Sequence, residues 1–164
     1  MIITKDFSIR AIEEKDIDFL YKLNSQEFRG NYQEFEFESK QSIRKQFDNG
    51  DLCTDKFKML LAQKDDKILG IIYISFVRPG LVNLGLVMCE NERGKNLGTN
   101  ITKSIVNHLF SNYDLARIQA DTDINNIAAQ KVLEKAGFMK EGIMSKYRFH
   151  HGKYNDSVLY AIAK

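Results

Sequence analysis

The apolar positions of the chain change period several times, and each change marks an element. Residues 7–12 (Phe-Ser-Ile-Arg-Ala-Ile) alternate apolar and polar, which predicts a first strand. Over residues 16–24 the period lengthens, with Ile17, Leu20, Tyr21 and Leu23 on one side of a helix. Residues 25–38 have no clean period and set Phe28, Tyr32, Phe35 and Phe37 among Glu27, Glu34, Glu36 and Glu38. Ser39 is a good N-cap for a short helix to Phe47. Residues 57–62 and 68–77 read as apolar strands joined by the turn Lys64-Asp65-Asp66-Lys67. Pro79-Gly80 turns the chain back into a third strand, residues 82–88, so the three form an antiparallel meander. Leu97, Ile101, Ile105 and Leu109 recur every four residues, widened by Val106 and Phe110, and predict a longer helix. A short strand over residues 116–120 follows, then a helix over residues 126–136 with Gly137 in the position expected of a C-cap. The tail, residues 139–150 and 153–162, reads as a hairpin turned at His151-Gly152.

Composition narrows the classes. A chain of 164 residues is expected to form one domain, residues 1–164, with a real core, and a net charge of +2 gives no reason to invoke nucleic acid or a membrane. Cys53 and Cys89 form neither a disulfide framework nor a metal-ligand spacing, which fits a reducing, cytoplasmic setting. No apolar run approaches a membrane span, and residues 1–10 lack the apolar core of a signal peptide. No metal is expected. A homo-oligomer stays open.

The chemistry gathers after the third strand. Cys89-Glu90-Asn91-Glu92 leads into Arg93-Gly94-Lys95-Asn96-Leu97-Gly98-Thr99 and then into the long helix. A strand that runs through a glycine-containing loop into a helix N-terminus makes an anion site, because loop amides point outward and the helix dipole adds partial positive charge. Arg93 and Lys95 add full charges. A Walker A loop and the G-x-G-x-x-G pattern are both absent. An ordinary strand-to-helix turn with solvated charges would show the same composition.

Residues 93–99 resemble the acyl-CoA pyrophosphate loop of the GNAT N-acetyltransferases, usually written Q/R-x-x-G-x-G/A. Arg93 and Gly98 match, and Asn96 stands where the middle glycine normally is; asparagine tolerates a left-handed backbone better than most residues. Asn126, Ala129, Val132-Leu133-Glu134-Lys135 and Gly137-Phe138 resemble the family's second signature. Glu141-Gly142, the late Gly152-Lys153-Tyr154-x-Asp156 and the opening Ile9-Arg10-Ala11-Ile12-x-x-x-Asp16 are similar to the branch of ribosomal-protein N-terminal and spermidine acetyltransferases. The element order is that of the family as well. The implied fold is α+β: a central mixed, mostly antiparallel sheet of six to seven strands, splayed at the acetyl-CoA cleft and flanked by about four helices.

The resemblance implies acetyl-CoA as co-substrate, bound by Val87, Met88, Arg93, Gly94, Lys95, Asn96, Leu97, Gly98, Thr99 and Asn126. Pantetheine would lie between the splayed strands, pairing with backbone near Val87 and Met88, with Asn126 on its arm. Asn126 is equally a plain helix N-cap, and both roles can hold at once. The expected activity is acetyl transfer to a primary amine. Candidate acceptors are a small cationic, polyamine-like amine, a protein N-terminus, or an amino sugar or antibiotic. Two usual positions for the acid that protonates the departing thiolate are apolar here, Leu133 and Ala129. Tyr147 is the preferred substitute, with Ser145 and Tyr154 behind it, although Tyr147 simply packing on the sheet is the better-supported reading. The missing acids also suit a non-catalytic acyl-CoA-binding domain. Glu34 and Glu36, with their aromatic neighbours, are expected to meet a cationic acceptor, and alternating Glu and Phe would also suit a half-buried strand. His108 is expected on a helix surface, and the pair His150-His151 exposed at a hairpin tip.

Overall fold

One sheet with two apolar faces organises the molecule. The computed structural model describes residues 1–25, 28, 30–32 and 37–164. In chain order the described elements are β1 (Ile2–Ile3), β2 (Ser8–Ala11), a 3-10 turn (Glu14–Asp16), α1 (Ile17–Leu23), α2 (Lys40–Asp48), β3 (Phe57–Lys64), β4 (Lys67–Arg78) and β5 (Gly80–Met88). A second 3-10 turn (Glu90–Glu92), α3 (Leu97–Asn112), β6 (Leu115–Asp123), α4 (Ile127–Lys135), β7 (Met139–His150) and β8 (Lys153–Ala163) complete it. The eight strands lie in the order β1-β2-β3-β4-β5-β6-β8-β7. Every neighbouring pair is antiparallel except β5 with β6. This is the α+β fold the sequence implies, with one strand more than the six or seven expected. The extra strand, β1, is two residues long and too short to leave a period.

Period-two alternation deals the strand residues to the two faces. Ala62, Ile72, Ile74, Val82 and Leu84 pack with Ile101, Ile105 and Leu109 of α3 and with Ile118, Val158 and Tyr160. Leu61 and Ile71 pack on the other face with Ile17, Leu20 and Leu23 of α1 and Ile43 of α2. β2 is tied to the 3-10 turn that leads into α1 by a buried bidentate pair, Arg10 Nη1 and Nη2 to Asp16 Oδ2 and Oδ1 at 2.6 and 2.9 Å. That pair gives a physical reason for the Arg10…Asp16 spacing.

The local signals read from the sequence hold. Ser39 Oγ accepts from the Ser42 N–H at 3.0 Å and starts α2. Gly137, at φ 98°, lets its own N–H reach the Glu134 carbonyl and the Phe138 N–H reach Leu133, both at 3.0 Å, which ends α4. His151 (φ 52°) and Gly152 (φ 75°) form the left-handed pair that closes the β7–β8 hairpin.

Two expectations need correction. The strand expected over residues 116–120 runs on to Asp123, through Asp121, Thr122 and Asp123. His151 is exposed as expected, but His150 turns inward and its side chain is 9% exposed. The causes are the same: Arg148 Nη2 lies 2.6 Å from Asp121 Oδ2, and His150 Nε2 lies 2.7 Å from Asp123 Oδ2. Charges that read as a loop in isolation are neutralised across the sheet.

Candidate active site

β5 and β6 start as neighbours and then part. Their parallel register runs from Gly80↔Leu115 to Asn83↔Gln119 and stops there. Both strands continue, β5 to Met88 and β6 to Asp123, so a cleft opens at their C-terminal ends. The lining is set by backbone alternation. The Cys89 N–H donates to the Leu69 carbonyl at 2.9 Å, and the Phe76 N–H to Lys56 at 2.8 Å. With the β4–β5 register this commits the backbone groups of Gly85 and Val87 to β4 and turns those of Leu84, Leu86 and Met88 toward β6. Of the two strand residues singled out from sequence, Met88 therefore faces the cleft, and Val87 bonds to the neighbouring strand opposite Ile71. Arg93 Nε donates to the Met88 carbonyl at 3.2 Å, satisfying an acceptor that β6 no longer reaches.

At the mouth of the cleft, Gly94 (φ 75°) and Asn96 (φ 61°) take left-handed conformations, and Asn96 caps α3 with no side-chain bond to the first turn. Asparagine thus does the backbone work expected of the missing glycine. The first-turn N–H groups of α3 are left facing the loop. Gly98 is buried behind it: a Cβ there would lie 3.5 Å from Met88 Cγ, 3.6 Å from Val132 Cγ2 and 3.8 Å from Leu86 Cδ2, among apolar atoms. Thr99 is buried, Leu97 half-buried, and Arg93 and Lys95 are exposed.

Sequence reasoning missed two residues here. Glu92 is buried beneath the loop, with side-chain exposure of 6%, and pairs with Lys67 through Oε1 and with Lys95 at 3.2 Å through Oε2. The Lys67 contact foremost, helped by Lys95 against the cost of burial, holds the Glu92 carboxyl below its ordinary range. An open depression of about 850 Å³ lies between the loop and the β3–β4 turn, lined by Lys64, Lys67, Glu92, Lys95 and Leu97 among others. Lys67 reaches the loop only because β4 lies beside β5, which no local motif records.

The second wall is the turn between β6 and α4. Asn126 Oδ1 accepts from the Ala129 N–H at 3.2 Å, so it is the N-cap, and its Nδ2 carries no bond among the described residues. Ala129 and Leu133, the apolar residues at the two positions where an acid was expected, are half-buried, and Leu133 packs against the core. Tyr147 is 57% exposed on β7, within the irregular stretch between Met144↔Ser157 and Arg148↔Asn155. Ser145 and Glu90 are exposed, and Tyr154 meets Phe149 edge to face with centroids 5.1 Å apart. Burial raises the Cys89 thiol above its ordinary range, and Cys89 is half-buried. His108 lies exposed on α3, as expected. Glu34 and Glu36 lie outside the described residues. Among the described residues no helix is long and apolar enough to cross a membrane.

Known proteins share this architecture. A model of the acetyltransferase (GNAT) domain matches residues 6–139. A probable N-acetyltransferase of Bacillus subtilis, YjcK, is 29% identical over 106 residues, covering 63% of this chain and 59% of that protein. The ribosomal-protein-serine acetyltransferase of Escherichia coli is 24% identical over the same length, with the same shares of each chain, so these matches span little more than half of those relatives. The crystal structure of a Vibrio cholerae spermidine N-acetyltransferase, in complex with CoA and spermine, superposes with a TM-score of 0.87 at 19% identity, over 98% of this chain and 96% of that one. With the splayed parallel pair and the glycine-containing loop at the head of α3, the match over residues 6–139 shows that the chain belongs to the GNAT family of acetyl-CoA-dependent N-acetyltransferases.

Proposed function

We propose that residues 1–164 act as a single domain, in the cytoplasm, that transfers the acetyl group of acetyl-CoA to a primary amine, with a small cationic, polyamine-like amine favoured as acceptor. One observation carries this reading: the β5–β6 ladder stops at Asn83↔Gln119, and the backbone groups of Leu84, Leu86 and Met88 face the gap that opens. Pantetheine carries two amides on an extended chain and can pair with such a strand as another strand would. The pyrophosphate then reaches the first turn of α3, where Gly94 and Asn96 shape the loop and Arg93 and Lys95 supply charge. The Nδ2 of Asn126 is left to meet the pantetheine arm.

Transfer requires a neutral amine to attack the thioester carbonyl carbon. The carbonyl oxygen gains negative charge, the C–S bond breaks, and the departing thiolate takes up a proton while the acetylated nitrogen loses one. Holding the two reactants in line can supply roughly 7–11 kcal/mol of the barrier. A backbone N–H near Met88 is the donor for the carbonyl oxygen. Tyr147 is the proposed proton donor to the thiolate, and Glu34 and Glu36 the carboxylates that attract a cationic acceptor. The spermine bound by the Vibrio cholerae enzyme supports a polyamine, and the ribosomal-protein-serine acetyltransferase of Escherichia coli supports a protein acceptor, such as an N-terminus, as the alternative.

The test is release of free CoA thiol from acetyl-CoA with a panel of amines: a polyamine, an aminoglycoside and a peptide with a free N-terminal serine. Turnover is expected with a primary amine and not with its N-permethylated form. The same assay on Tyr147→Phe is expected to give kcat about 10²-fold lower; an unchanged kcat moves the proton donor to Ser145 or to solvent. The apolar Leu133 and Ala129 favour a second reading, a non-catalytic acyl-CoA-binding domain. Tight CoA binding with no turnover on any amine would select it.

A further inference from the structure

Among the described residues Asp123 is the most enclosed carboxylate of the cleft, and no step of acetyl transfer uses it. Its side chain is 0% exposed. Oδ1 accepts the Asn125 N–H at 2.8 Å, Oδ2 faces His150 Nε2 at 2.7 Å, and its own carbonyl accepts the Asn126 N–H at 2.9 Å. Burial alone would raise this carboxyl; the Asn125 amide and His150 together bring it below its ordinary range. The turn is anchored twice more, by the Ile124 N–H on the Asp156 carbonyl at 3.0 Å and by Gln130 Nε2 on the Ile124 carbonyl at 2.8 Å.

His150 is the only side chain from another element, among the described residues, that bonds to this carboxylate. It is the last residue of β7, beside the hairpin turn. Its Nδ1 is buried with no partner among the described residues, so the ring spends its single polar contact on Asp123. A histidine buried to form one bond, at the cost of an unsatisfied nitrogen, is an expensive way to hold a surface hairpin. It is a direct way to fix a turn. We propose that His150 is a positioning residue for acyl-CoA: through Asp123 it holds the β6–α4 turn, and so sets Asn126 against the cleft. The inference rests on the acyl-CoA reading of that cleft. Arg148, two residues earlier, makes a parallel contact with Asp121 and Ser157 and keeps β7 docked when His150 is altered.

The experiment compares wild type with His150→Ala and with His150→Gln, whose amide N–H can still reach Asp123. Calorimetry with CoA and steady-state kinetics give Kd, both KM values and kcat. For His150→Ala, Kd for CoA and KM for acetyl-CoA are expected to rise about tenfold. The KM for the amine should change less than twofold, and kcat at saturating acetyl-CoA less than threefold. His150→Gln should recover most of the affinity. Unchanged CoA affinity in a folded His150→Ala protein overturns the proposal, and so does an equal loss in both KM values, which is what loosened folding alone would give. If His150→Ala does not fold, His150→Asn, too short to reach Asp123, is set against His150→Gln, and equal CoA affinities overturn it. Wild-type protein that binds no CoA would refute the acyl-CoA reading itself. Binding that survives His150→Ala refutes only the role of His150.

Discussion

The two walls of the cleft are each centred on one buried carboxylate, and they use it in opposite ways. On the β5 wall Glu92, 6% exposed, is paired with Lys67 and Lys95, whose side chains are 64% and 55% exposed. On the β6 wall Asp123, 0% exposed, is held by a backbone amide and by His150 at 9% exposure. Lysines on flexible stems can swing from a carboxylate to an incoming anion, and pairs in water are screened by salt. An amide and a buried ring cannot swing. The wall beside the Gly94–Asn96 loop thus offers adaptable charge, and the wall beside Asn126 offers fixed geometry.

That contrast breaks most visibly at Asp123. Asp123→Ala orphans the Asn125 N–H and leaves His150 without its carboxylate, and is expected to cost about 3–5 kcal/mol, as for other buried pairs broken on one side. Thermal denaturation should show Tm lower by roughly 6–20 °C for a domain of this size. The acid limb follows from the same pair. Because the folded carboxyl lies below its unfolded value, its contribution is complete above the ordinary carboxylate range and is lost as pH falls through the folded value. Asp123→Asn should flatten that part of the stability–pH curve. A loss below about 1 kcal/mol for Asp123→Ala, within the range of an exposed pair, would make the two walls alike.

The opposite wall should respond in binding and hardly in stability. Lys95→Ala, which leaves Lys67 paired with the buried Glu92, is expected to weaken acetyl-CoA about tenfold, about 1.4 kcal/mol. The deficit should shrink as salt is added, and Tm should move by no more than a few degrees. A large fall in Tm with intact affinity would make Glu92 a second fixed anchor.

The smallest effect sharpens the boundary between the walls. A Cβ at Gly98 meets Met88, Val132 and Leu86 at ordinary contact distances of 3.5–3.8 Å, and the residue sits inside the first turn of α3. Gly98→Ala should therefore change stability by no more than about 1 kcal/mol, toward gain from helix propensity, and CoA affinity by less than twofold. A strong loss of CoA affinity would mean that the loop backbone itself approaches the ligand at this position.

The fold was legible where short-range rules decide it. Ser39 and Asn126 as caps, Gly137 as a helix stop and Asn96 as a stand-in for glycine all depend on neighbours within a few residues. So do the β3–β4–β5 meander and the tail hairpin, whose turns are written in the sequence. What was not legible depends on register. Asp121 and Asp123 break the apolar pattern of β6, and only the sheet brings Arg148 and His150 to them. Glu92 resembles any solvated loop glutamate until β4 sets Lys67 against it. Which backbone groups face the cleft was also hidden, because Val87 and Met88 differ only in phase.

The end of the β5–β6 ladder at Asn83↔Gln119 has one more consequence. A strand edge on the rim of a sheet is open to any extended chain, which is why exposed edges invite aggregation. This edge is interior, with four strands beyond β5 on one side and β6, β8 and β7 on the other. It is a vacancy in the middle of a weave. A full strand from another molecule would have to force the two halves of the sheet apart to enter, whereas a thread without bulky side groups can be drawn in from the open end. A gap of this kind favours a slender chain over a broad one before charge or hydrogen bonding is considered.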